Sequence, residues 1–283
     1  MTGLTVFEWG VRTYIMGIIN MTPDSFAGDG LGTDVEAAVR RAREMLAAGA
    51  DILDVGGEST RPGAEPVPAD EELRRVLPAV ERLAREFDCP ISIDTYKAMV
   101  AEAAVRAGAR VINDVWGLRL DPGIAGVAAR TGAYLVITHN SRPAPAAAWD
   151  YAPAEGGVID RILAGLRQAI DLAVGTGVDP ERIIVDPGIG FGKTWQENLV
   201  ILRELGRLRE LGRPVLIGPS HKSFIGRILG TDVADRLEGT AAAVAIGIAN
   251  GADLVRVHDV GFMARIARVA DAIVRLRPDV EPA

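Results

Sequence analysis

The chain has 283 residues, with 31 Lys and Arg against 38 Asp and Glu, and a formal net charge of -7 at pH 7. Hydrophobic residues make up 48% and charged residues 24%, which is typical of a folded globular protein and excludes a disordered one. The acidic excess argues against nucleic acid or an anionic membrane as a partner, because proteins that bind them are basic.

The cysteine count and the apolar runs limit the class further. Cys89 is the single cysteine, which excludes an internal disulfide framework and a cysteine-based zinc cluster. Residues 1–10 have neither the basic nor the apolar segment of a secretory signal. The longest uncharged run, residues 239–252, is shorter than the roughly 20 apolar residues that a membrane span needs. We therefore expect a soluble, cytoplasmic protein with no membrane contact.

Eight short apolar runs are predicted to be strands. They are mostly continuous rather than alternating, as expected for parallel strands that are buried on both faces. The eight runs are residues 14–19, 52–55, 90–93, 111–113, 134–137, 183–186, 215–217 and 254–257.

The segments between the runs have helical periodicity, and four of them end in Gly followed by Ala. These four joins are Gly49-Ala50, Gly108-Ala109, Gly132-Ala133 and Gly251-Ala252. Because Gly tolerates the left-handed conformation at a helix C-terminus, each join predicts a turn from a helix into a strand.

Two helices show clear apolar faces. The first is predicted to begin with a capping box formed by Thr33 and Glu36. Its apolar face comprises Val35, Ala38, Val39, Ala42 and Leu46, and the face of the last helix comprises Met263, Ile266, Ala267, Ala270, Ile273 and Val274.

Eight strands alternating with helices along the whole chain predict a (β/α)8 barrel, with a doubly wound open sheet as the competing fold. No linker or low-complexity tract divides the sequence, so we expect a single domain over residues 1–283. In such a barrel the active site lies at the C-terminal ends of the strands.

Polar residues follow nearly every predicted strand. A single Asp or Asn in this position is often only structural, but a whole ring that includes all three histidines favours a functional site. The ring comprises Asn20 with the loop at residues 22–26, Glu58, Ser59, Thr60, Arg61, Pro62, Asp94, Asn113, Asp114, His139, Asn140, Asp186, Ser220, His221, Lys222, Ser223, Arg256, His258 and Asp259.

Two kinds of ligand chemistry are present in this ring. Arg61, Lys222, Arg256 and His258 offer positive charge, and the groups that follow the last two strands lie where barrels often bind phosphate. Carboxylate and carboxamide groups on nearby strands suit a flat heterocycle with both donors and acceptors, because a carboxylate can accept two parallel N–H bonds. Those groups belong to Asp94, Asn113 and Asp186.

The glycine-rich segment at residues 188–194 matches no nucleotide-binding motif. A P-loop would need Gly where Pro187 stands, and in a dinucleotide fingerprint the third Gly would come one residue later. We expect this segment to bring its backbone and Phe191 close to a ligand. No zinc motif is present, whereas Mg2+ held by oxygen ligands and a substrate phosphate fits better, with Asn20 as its candidate ligand or else a turn residue.

Seven blocks of sequence, in order along the chain, closely resemble the signatures of the dihydropteroate synthases. The most specific are residues 16–26 (MGIINMTPDSF) and residues 54–63 (DVGGESTRPG). The others are residues 93–95, 112–114, 186–193 (DPGIGFGK), 222–224 and 256–259 (RVHD).

The resemblance implies a cytoplasmic transferase of folate biosynthesis, a homodimer that joins 7,8-dihydropterin-6-ylmethyl diphosphate to 4-aminobenzoate and releases diphosphate with the help of Mg2+. It implies catalytic roles for Lys222, Arg61 and Asp94, and a pterin site formed by Asp94, Asn113, Asp186 and Lys222. It implies diphosphate contacts from Thr60, Arg61, Arg256 and His258, an aminobenzoate pocket formed by Pro62, Phe191 and Ser223, and magnesium ligation by Asn20.

Two departures from the family pattern lead to expectations of their own. The second acidic residue of the first loop is displaced to Asp29, and His221 stands where the family has Arg. Because His titrates near neutral pH, we expect anion binding that is weaker and more dependent on pH than with Arg.

Two other functions remain open. A pterin-dependent methyltransferase barrel would share the pterin residues, but it has no use for the anion-binding group at Thr60, Arg61, Arg256 and His258. A paralogue that binds pterin without turnover would be supported only by the changes at Asp29 and His221.

Overall fold

Eight parallel strands form one sheet in a computed structural model that describes residues 7–22, 30–60, 64–144 and 146–275. The strands are β1 (Tyr14–Asn20), β2 (Ile52–Gly56), β3 (Ile91–Asp94), β4 (Val111–Asp114), β5 (Tyr134–Thr138), β6 (Ile183–Asp186), β7 (Leu216–Ile217) and β8 (Leu254–Val257). Their spatial order is β6-β5-β4-β3-β2-β1-β8-β7. A parallel bridge between Val185 and Val215 brings β6 next to β7, so the sheet curves into the predicted (β/α)8 barrel.

Helices cover the outside of the barrel. They are α1 (Val35–Ala47), α2 (Ala69–Glu86), α3 (Ala98–Arg106), α4 (Gly123–Thr131), α5 (Val158–Gly175), α6 (Trp195–Arg203), α7 (Ser223–Leu229), α8 (Leu237–Ala249) and α9 (Val260–Val274). The four predicted helix-to-strand joins are confirmed, because Gly49, Gly108, Gly132 and Gly251 all have positive φ, from 70° to 118°.

The start of α1 differs from the prediction. Asp34, and not Thr33, is the N-cap, and its side chain accepts a hydrogen bond from the Ala37 N–H at 2.9 Å. The predicted capping box of Thr33 and Glu36 was therefore wrong by one residue. Either residue type can cap a helix, so the local sequence left both registers open.

The interior of the barrel holds an apolar cluster that is closed at the N-terminal end of the strands by Phe7. The Phe7 side chain is 3% exposed, and its ring centroid lies 5.1 Å from those of Tyr14 and Tyr134. Trp9 stacks on the same ring at 4.7 Å. A functional cavity is thus confined to the opposite end, where the strands finish.

The apolar face predicted for the last helix is only partly buried. Met263, Ala267 and Ala270 pack into the core, whereas Ile273 is 69% exposed and Val274 is 40% exposed. Together with neighbouring side chains they form an apolar surface, the α8–α9 patch, which is lined by Ala245, Ala249, Ile266, Val269, the buried Ala270, Ile273 and Val274. In the part of the chain that the structure describes, no helix combines the length and the apolar character needed to cross a membrane.

Candidate active site

A cavity of about 590 Å³ opens at the C-terminal ends of the strands. Its wall includes seven of the twelve residues to which the family resemblance assigns a role, namely Asn20, Thr60, Asp94, Lys222, Ser223, Arg256 and His258. Asn113, Asp186 and Phe191 are buried and lie outside the lining, with exposed fractions of 2%, 6% and 7%. Arg61, Pro62 and Asp29 fall outside the described residues.

The strand ends bring the predicted pterin residues together. Asp94 is the last residue of β3 and lies in register with Asn113 of β4, while Asp186 is the last residue of β6. Their backbones belong to strands that are buried on both faces, so the side chains are held on rigid elements. This placement matches the expectation that the three groups can face one flat ligand.

Arg256 links two carboxylates at the cavity floor. Its Nε donates to Asp54 Oδ2 and its second terminal nitrogen donates to Asp94 Oδ2, both at 2.6 Å. The Asn113 amide also donates to Asp54 Oδ2, at 3.1 Å. One oxygen of Asp54 and one of Asp94 accept no hydrogen bond from the described residues. Asp94 lines the cavity, so its oxygen can still accept a bond from a ligand, whereas Asp54 is fully buried and lies outside the lining.

Asp54 was not predicted from the sequence as a site residue. This residue lies within the strand run and not at its end, and its side chain is fully buried. A charged residue inside an otherwise apolar strand was the signal that could have identified it, since burying a carboxylate is costly unless it is paired.

Burial shifts the pKa values of the ionisable groups at the cavity floor. It raises the pKa of Asp94 to about 7, against the opposing effect of Arg256. It raises the pKa of Asp186 to about 6, although Asp186 Oδ1 accepts a hydrogen bond from the Gly188 N–H at 2.7 Å. Burial acts to lower the pKa of Arg256, but Asp54 and Asp94 outweigh it and raise that pKa, so Arg256 stays charged.

Lys222 stands between the carboxylates and the glycine-rich segment. Burial, assisted by the charge of Arg256, lowers its pKa to about 8. Its ammonium lies 4.5 Å from the centroid of the Phe191 ring. Gly190 has a φ of 81°, and a Cβ there would lie 3.0 Å from Lys222 Cδ, so glycine is needed for this close approach.

Two of the three histidines line the cavity. His258 Nδ1 lies 2.8 Å from Ser220 Oγ. His221 contacts Asp259 Oδ2 through Nε2 at 2.6 Å and the Val233 carbonyl through Nδ1 at 3.1 Å. The hydrogen bond to Asp259 raises the pKa of His221. The imidazole of His221 is thus already engaged by a carboxylate at the cavity edge.

His139 does not share this position, contrary to the expectation that all three histidines belong to one rim. Its side chain is 4% exposed and stacks on Tyr151, with ring centroids 4.5 Å apart. Burial lowers its pKa well below the usual value. His139 is therefore a neutral packing residue beneath the loop that follows β5.

Arg142 lines the cavity and was also missed by the sequence analysis. It lies three residues after His139 and two after Asn140 in the sequence, and its guanidinium is 4.8 Å from the centroid of the Phe191 ring. Its position beyond the strand end, within an irregular Pro- and Ala-rich loop, gave no periodic signal.

Cationic side chains in the cavity wall and buried carboxylates at its floor, at the C-terminal face of a (β/α)8 barrel, are typical of an enzyme site for a ligand with a polar ring and an anionic group. The pterin binding enzyme family matches residues 16–258 of the chain. The dihydropteroate synthase of Clostridium beijerinckii is 48% identical over 96% of this chain and 98% of its own length.

Solved structures agree with this match. A dihydropteroate synthase from Clostridium difficile, determined in the presence of pteroic acid, is 46% identical and has a TM-score of 0.87 over 95% of this chain and 99% of its own. One from Xanthomonas albilineans with 4-aminobenzoic acid is 42% identical, with a TM-score of 0.84 over 96% and 95% of the two chains. This chain belongs to the dihydropteroate synthases, within the pterin binding enzymes.

The family also contains relatives without activity. A protein from Mycobacterium tuberculosis that is named inactive dihydropteroate synthase 2 is 41% identical over 95% of this chain and 85% of its own length. The site geometry and a direct assay must therefore support turnover in this chain.

Proposed function

We propose that this transferase condenses 7,8-dihydropterin-6-ylmethyl diphosphate with 4-aminobenzoate to give 7,8-dihydropteroate and diphosphate, a step of folate biosynthesis. The observation that carries this proposal is one cavity whose lining brings Asp94, with an unpartnered carboxylate oxygen, together with the charges of Arg256 and Lys222. Carboxylates suit the N–H groups of the pterin and cations suit the diphosphate, so one cavity meets both needs of the substrate.

The pterin would lie over the floor. Asp94, Asn113 and Asp186 would hold its polar edge, with Asp54 completing the set through its bonds to Asn113 and Arg256. Lys222 would also reach the ring, since its ammonium already lies within the electrostatic reach of Asp94 and Asp186.

The diphosphate would lie towards the rim, against Thr60, Arg61, Arg256 and His258. Arg256 pairs with the floor carboxylates through Nε and one terminal nitrogen, and its five N–H groups leave others available for an anion. The aminobenzoate would lie against Phe191, Ser223 and Pro62, on the side of Lys222 that faces the glycine-rich segment.

Asn20 fits a role in magnesium binding. It ends β1 at the cavity wall beside Thr22, and its amide oxygen is a ligand type that Mg2+ accepts. Mg2+ commonly uses one or two protein oxygens together with substrate phosphates, which suits an ion that arrives with the diphosphate. When bound, it would help to neutralise charge on the leaving diphosphate.

We propose a dissociative reaction. The bond between the pterin methylene carbon and the diphosphate oxygen breaks first, while Arg256, Arg61 and Lys222 stabilise the departing anion. The resulting cation is delocalised into the pterin ring, above the carboxylates of the floor. The amine nitrogen of 4-aminobenzoate then bonds to the methylene carbon and gives up a proton. This path needs no covalent nucleophile, and burial raises the pKa of the Cys89 thiol to about 11.

The test is a reaction of the purified protein with the pterin diphosphate and Mg2+, with and without 4-aminobenzoate, followed by chromatography of the pterin products. We expect 7,8-dihydropteroate only when all components are present. The absence of product under every condition would reject the proposal and favour a binding-only paralogue, like the relative that is named inactive. Methyl transfer from methyltetrahydrofolate would instead support the methyltransferase alternative.

We also propose that the enzyme is a homodimer and that the α8–α9 patch forms its interface. Val269 and Ile273 expose 62% and 69% of their surface there, and contiguous exposed apolar surface of this kind is typical of protein interfaces. A second copy can cover the patch symmetrically in a twofold dimer. We place the enzyme in the cytoplasm, since a charged pterin diphosphate does not cross membranes freely.

A further inference from the structure

Arg142 lines the cavity and has no ion-pair partner among the described residues, a feature that it shares with Lys222 and Arg236. No carboxylate in that part of the chain lies within ion-pair distance of its guanidinium, whereas Arg256 is shared between two. Burial lowers the pKa of Arg142, and no nearby acid offsets this effect. A half-buried positive charge without a counter-ion is costly unless a ligand supplies one.

The side chain is held in place by backbone carbonyls of two neighbouring loops. One terminal nitrogen of Arg142 donates to the Thr60 carbonyl and the other donates to the Gly190 carbonyl at 3.4 Å. A guanidinium has five N–H groups, and these two bonds leave three for a ligand. These uncharged carbonyl groups hold the Arg142 guanidinium in position without neutralising its charge.

The backbone of Arg142 is equally well fixed. Its N–H donates to the Asn140 side chain at 3.1 Å, and its carbonyl accepts from Arg119 at 3.2 Å. A Cβ at Gly192 would lie 2.5 Å from the Arg142 nitrogen, so the glycine-rich segment packs directly against this loop. The guanidinium is therefore preorganised, which lowers the entropic cost of binding an anion.

The location of Arg142 identifies which anion it would meet. Its guanidinium lies 4.8 Å from the centre of the Phe191 ring, and the Lys222 ammonium approaches the same ring at 4.5 Å. Lys222 is close to the acids of the floor, whereas Arg142 is on the side of Thr60 and Gly190. An aromatic amine lying against Phe191, with its nitrogen towards the pterin, would direct its other end away from the floor.

We propose that Arg142 binds the carboxylate of the amine acceptor and so determines the specificity of the site for an anionic aromatic amine. The assignment rests on the proposed synthase function. The planar fork of Arg142 matches a carboxylate, and a charge-assisted hydrogen bond of this kind is about twice as strong as a neutral one.

The test compares 4-aminobenzoate with its uncharged isostere 4-aminobenzamide in wild type, Arg142→Gln and Arg142→Lys. We expect wild type to prefer the carboxylate by about 10- to 100-fold in kcat/KM, the usual worth of hydrogen bonds to charged groups. Arg142→Gln should reduce this preference to about 1- to 3-fold, because kcat/KM falls for 4-aminobenzoate and stays the same for 4-aminobenzamide. Arg142→Lys should retain part of the preference. Arg161→Gln, which removes an exposed arginine that pairs with Glu197, should leave the preference unchanged.

The preference is a ratio within one protein sample, so partial misfolding of a variant does not alter it. If Arg142→Gln leaves the ratio of kcat/KM for the two amines unchanged, the assignment is overturned. This holds both when the two reactions slow equally, as loosened loops would cause, and when neither reaction slows. If Arg142→Gln weakens pyrophosphate binding but leaves the ratio for the two amines unchanged, the assignment is also overturned, and Arg142 binds the diphosphate instead. If wild type forms no product, the proposed function fails, and calorimetry of the two amines on protein saturated with pyrophosphate and Mg2+ measures the same ratio.

Discussion

The carboxyl group of Asp94 is enclosed at the cavity floor, where burial raises its pKa to about 7 while Arg256 opposes the rise. The pKa of Asp186 is raised to about 6 by the same cause, and that of Lys222 is lowered to about 8. All three groups therefore change charge close to neutral pH. In the proposed reaction, binding of the pterin requires the carboxylates to be ionised, and binding of the leaving group requires Lys222 to be protonated.

We accordingly predict a bell-shaped dependence of kcat/KM for the pterin diphosphate on pH. Activity should rise through apparent pKa values of about 6 to 7, as Asp186 and Asp94 ionise, and fall above about 8, as Lys222 loses its proton. Lys222→Arg should abolish the fall at high pH, because Arg remains charged. Initial rates from pH 5 to 9.5 measure this, and an identical basic limb in both proteins would refute the assignment to Lys222.

The contribution of Asp186 can be measured directly. Asp186→Asn should weaken the binding of a 6-hydroxymethyl pterin by about 1.5–3 kcal/mol, the usual worth of a hydrogen bond to a charged group. Titration calorimetry gives this value, with the exposed Asp171→Asn on α5 as the matched control. Undiminished affinity in Asp186→Asn would show that the pterin lies elsewhere.

At the residue scale, the sequence predicted correctly the position of polar side chains that lie at strand ends. Asp94 and Asp186 end their strands and Asn113 is the last but one residue of β4, so the barrel itself brings them to one face. Asp54 and Arg142 were missed because their roles depend on contacts across the barrel, with Arg256 and with the Thr60 carbonyl. Such contacts join residues far apart in sequence and leave no local pattern.

At the scale of elements, His221 connects the loop before α7 with the start of α9. Its imidazole bonds to Asp259, and Arg236 and His258 are the other titratable groups that face it. Its pKa in the folded protein is raised above the ordinary 6.5, so this ion pair is complete below pH 6.5 and is lost as pH rises past the folded value. Asp259, whose pKa is lowered, stays ionised throughout this range.

This linkage predicts that pyrophosphate affinity declines between pH 6 and pH 8, by about 3- to 10-fold more in wild type than in His221→Arg. Loss of the proton removes positive charge at the cavity edge and weakens the bond to Asp259. Calorimetry of both proteins at pH 6, 7 and 8 with Mg2+ measures the difference, and the protonation of pyrophosphate itself cancels in the comparison. Equal slopes in the two proteins would contradict the prediction.

The N-terminal closure of the barrel gives a prediction about stability. Phe7 is 3% exposed and contacts three other aromatic rings, so Phe7→Ala should lower the free energy of unfolding by about 3–5 kcal/mol. Urea denaturation measures this, with Met99→Ala as a control on an exposed helix position that should change stability by less than about 0.5 kcal/mol. An effect as small as that of the control would mean that Phe7 does not close the core.

The elements were largely predictable, because buried parallel strands are continuous apolar runs and each helix-to-strand join carries a glycine. The strand bounds agree with the predicted runs to within one residue at every end. Two other features were not predicted. The role of Phe7 was not foreseen since a single aromatic residue before β1 has no periodicity, and the exposed end of α9 looked like core because its apolar spacing continues to Val274.

At the scale of the whole molecule, the net charge of -7 excluded nucleic acid but did not reveal the cationic rim. The acidic excess lies outside a cavity in which Lys222, Arg142, Arg236 and Arg256 come together. The net charge of a protein indicates whether it can bind a large polyanion, whereas the binding of a small anion depends on the charges that line its own site.

The proposed dimer belongs to this scale. Ile273→Asp places a charge in the α8–α9 patch and should convert a particle of twice the 30.0 kDa chain mass into a monomer. Met99→Asp changes a residue of similar exposure outside the patch and should leave the dimer intact. Sedimentation velocity distinguishes these outcomes, and a wild-type monomer at all concentrations would refute the interface.

The central claim is that one cavity at the strand ends both binds the pterin and transfers it to the amine. A single-turnover experiment, with protein in excess over pterin diphosphate and with Mg2+ and 4-aminobenzoate present, tests both parts at once. We predict that 7,8-dihydropteroate and diphosphate form in equal amounts from all of the bound pterin. Pterin diphosphate that binds with Mg2+ and amine present but remains intact would contradict the claim and identify the chain as a binding protein without turnover.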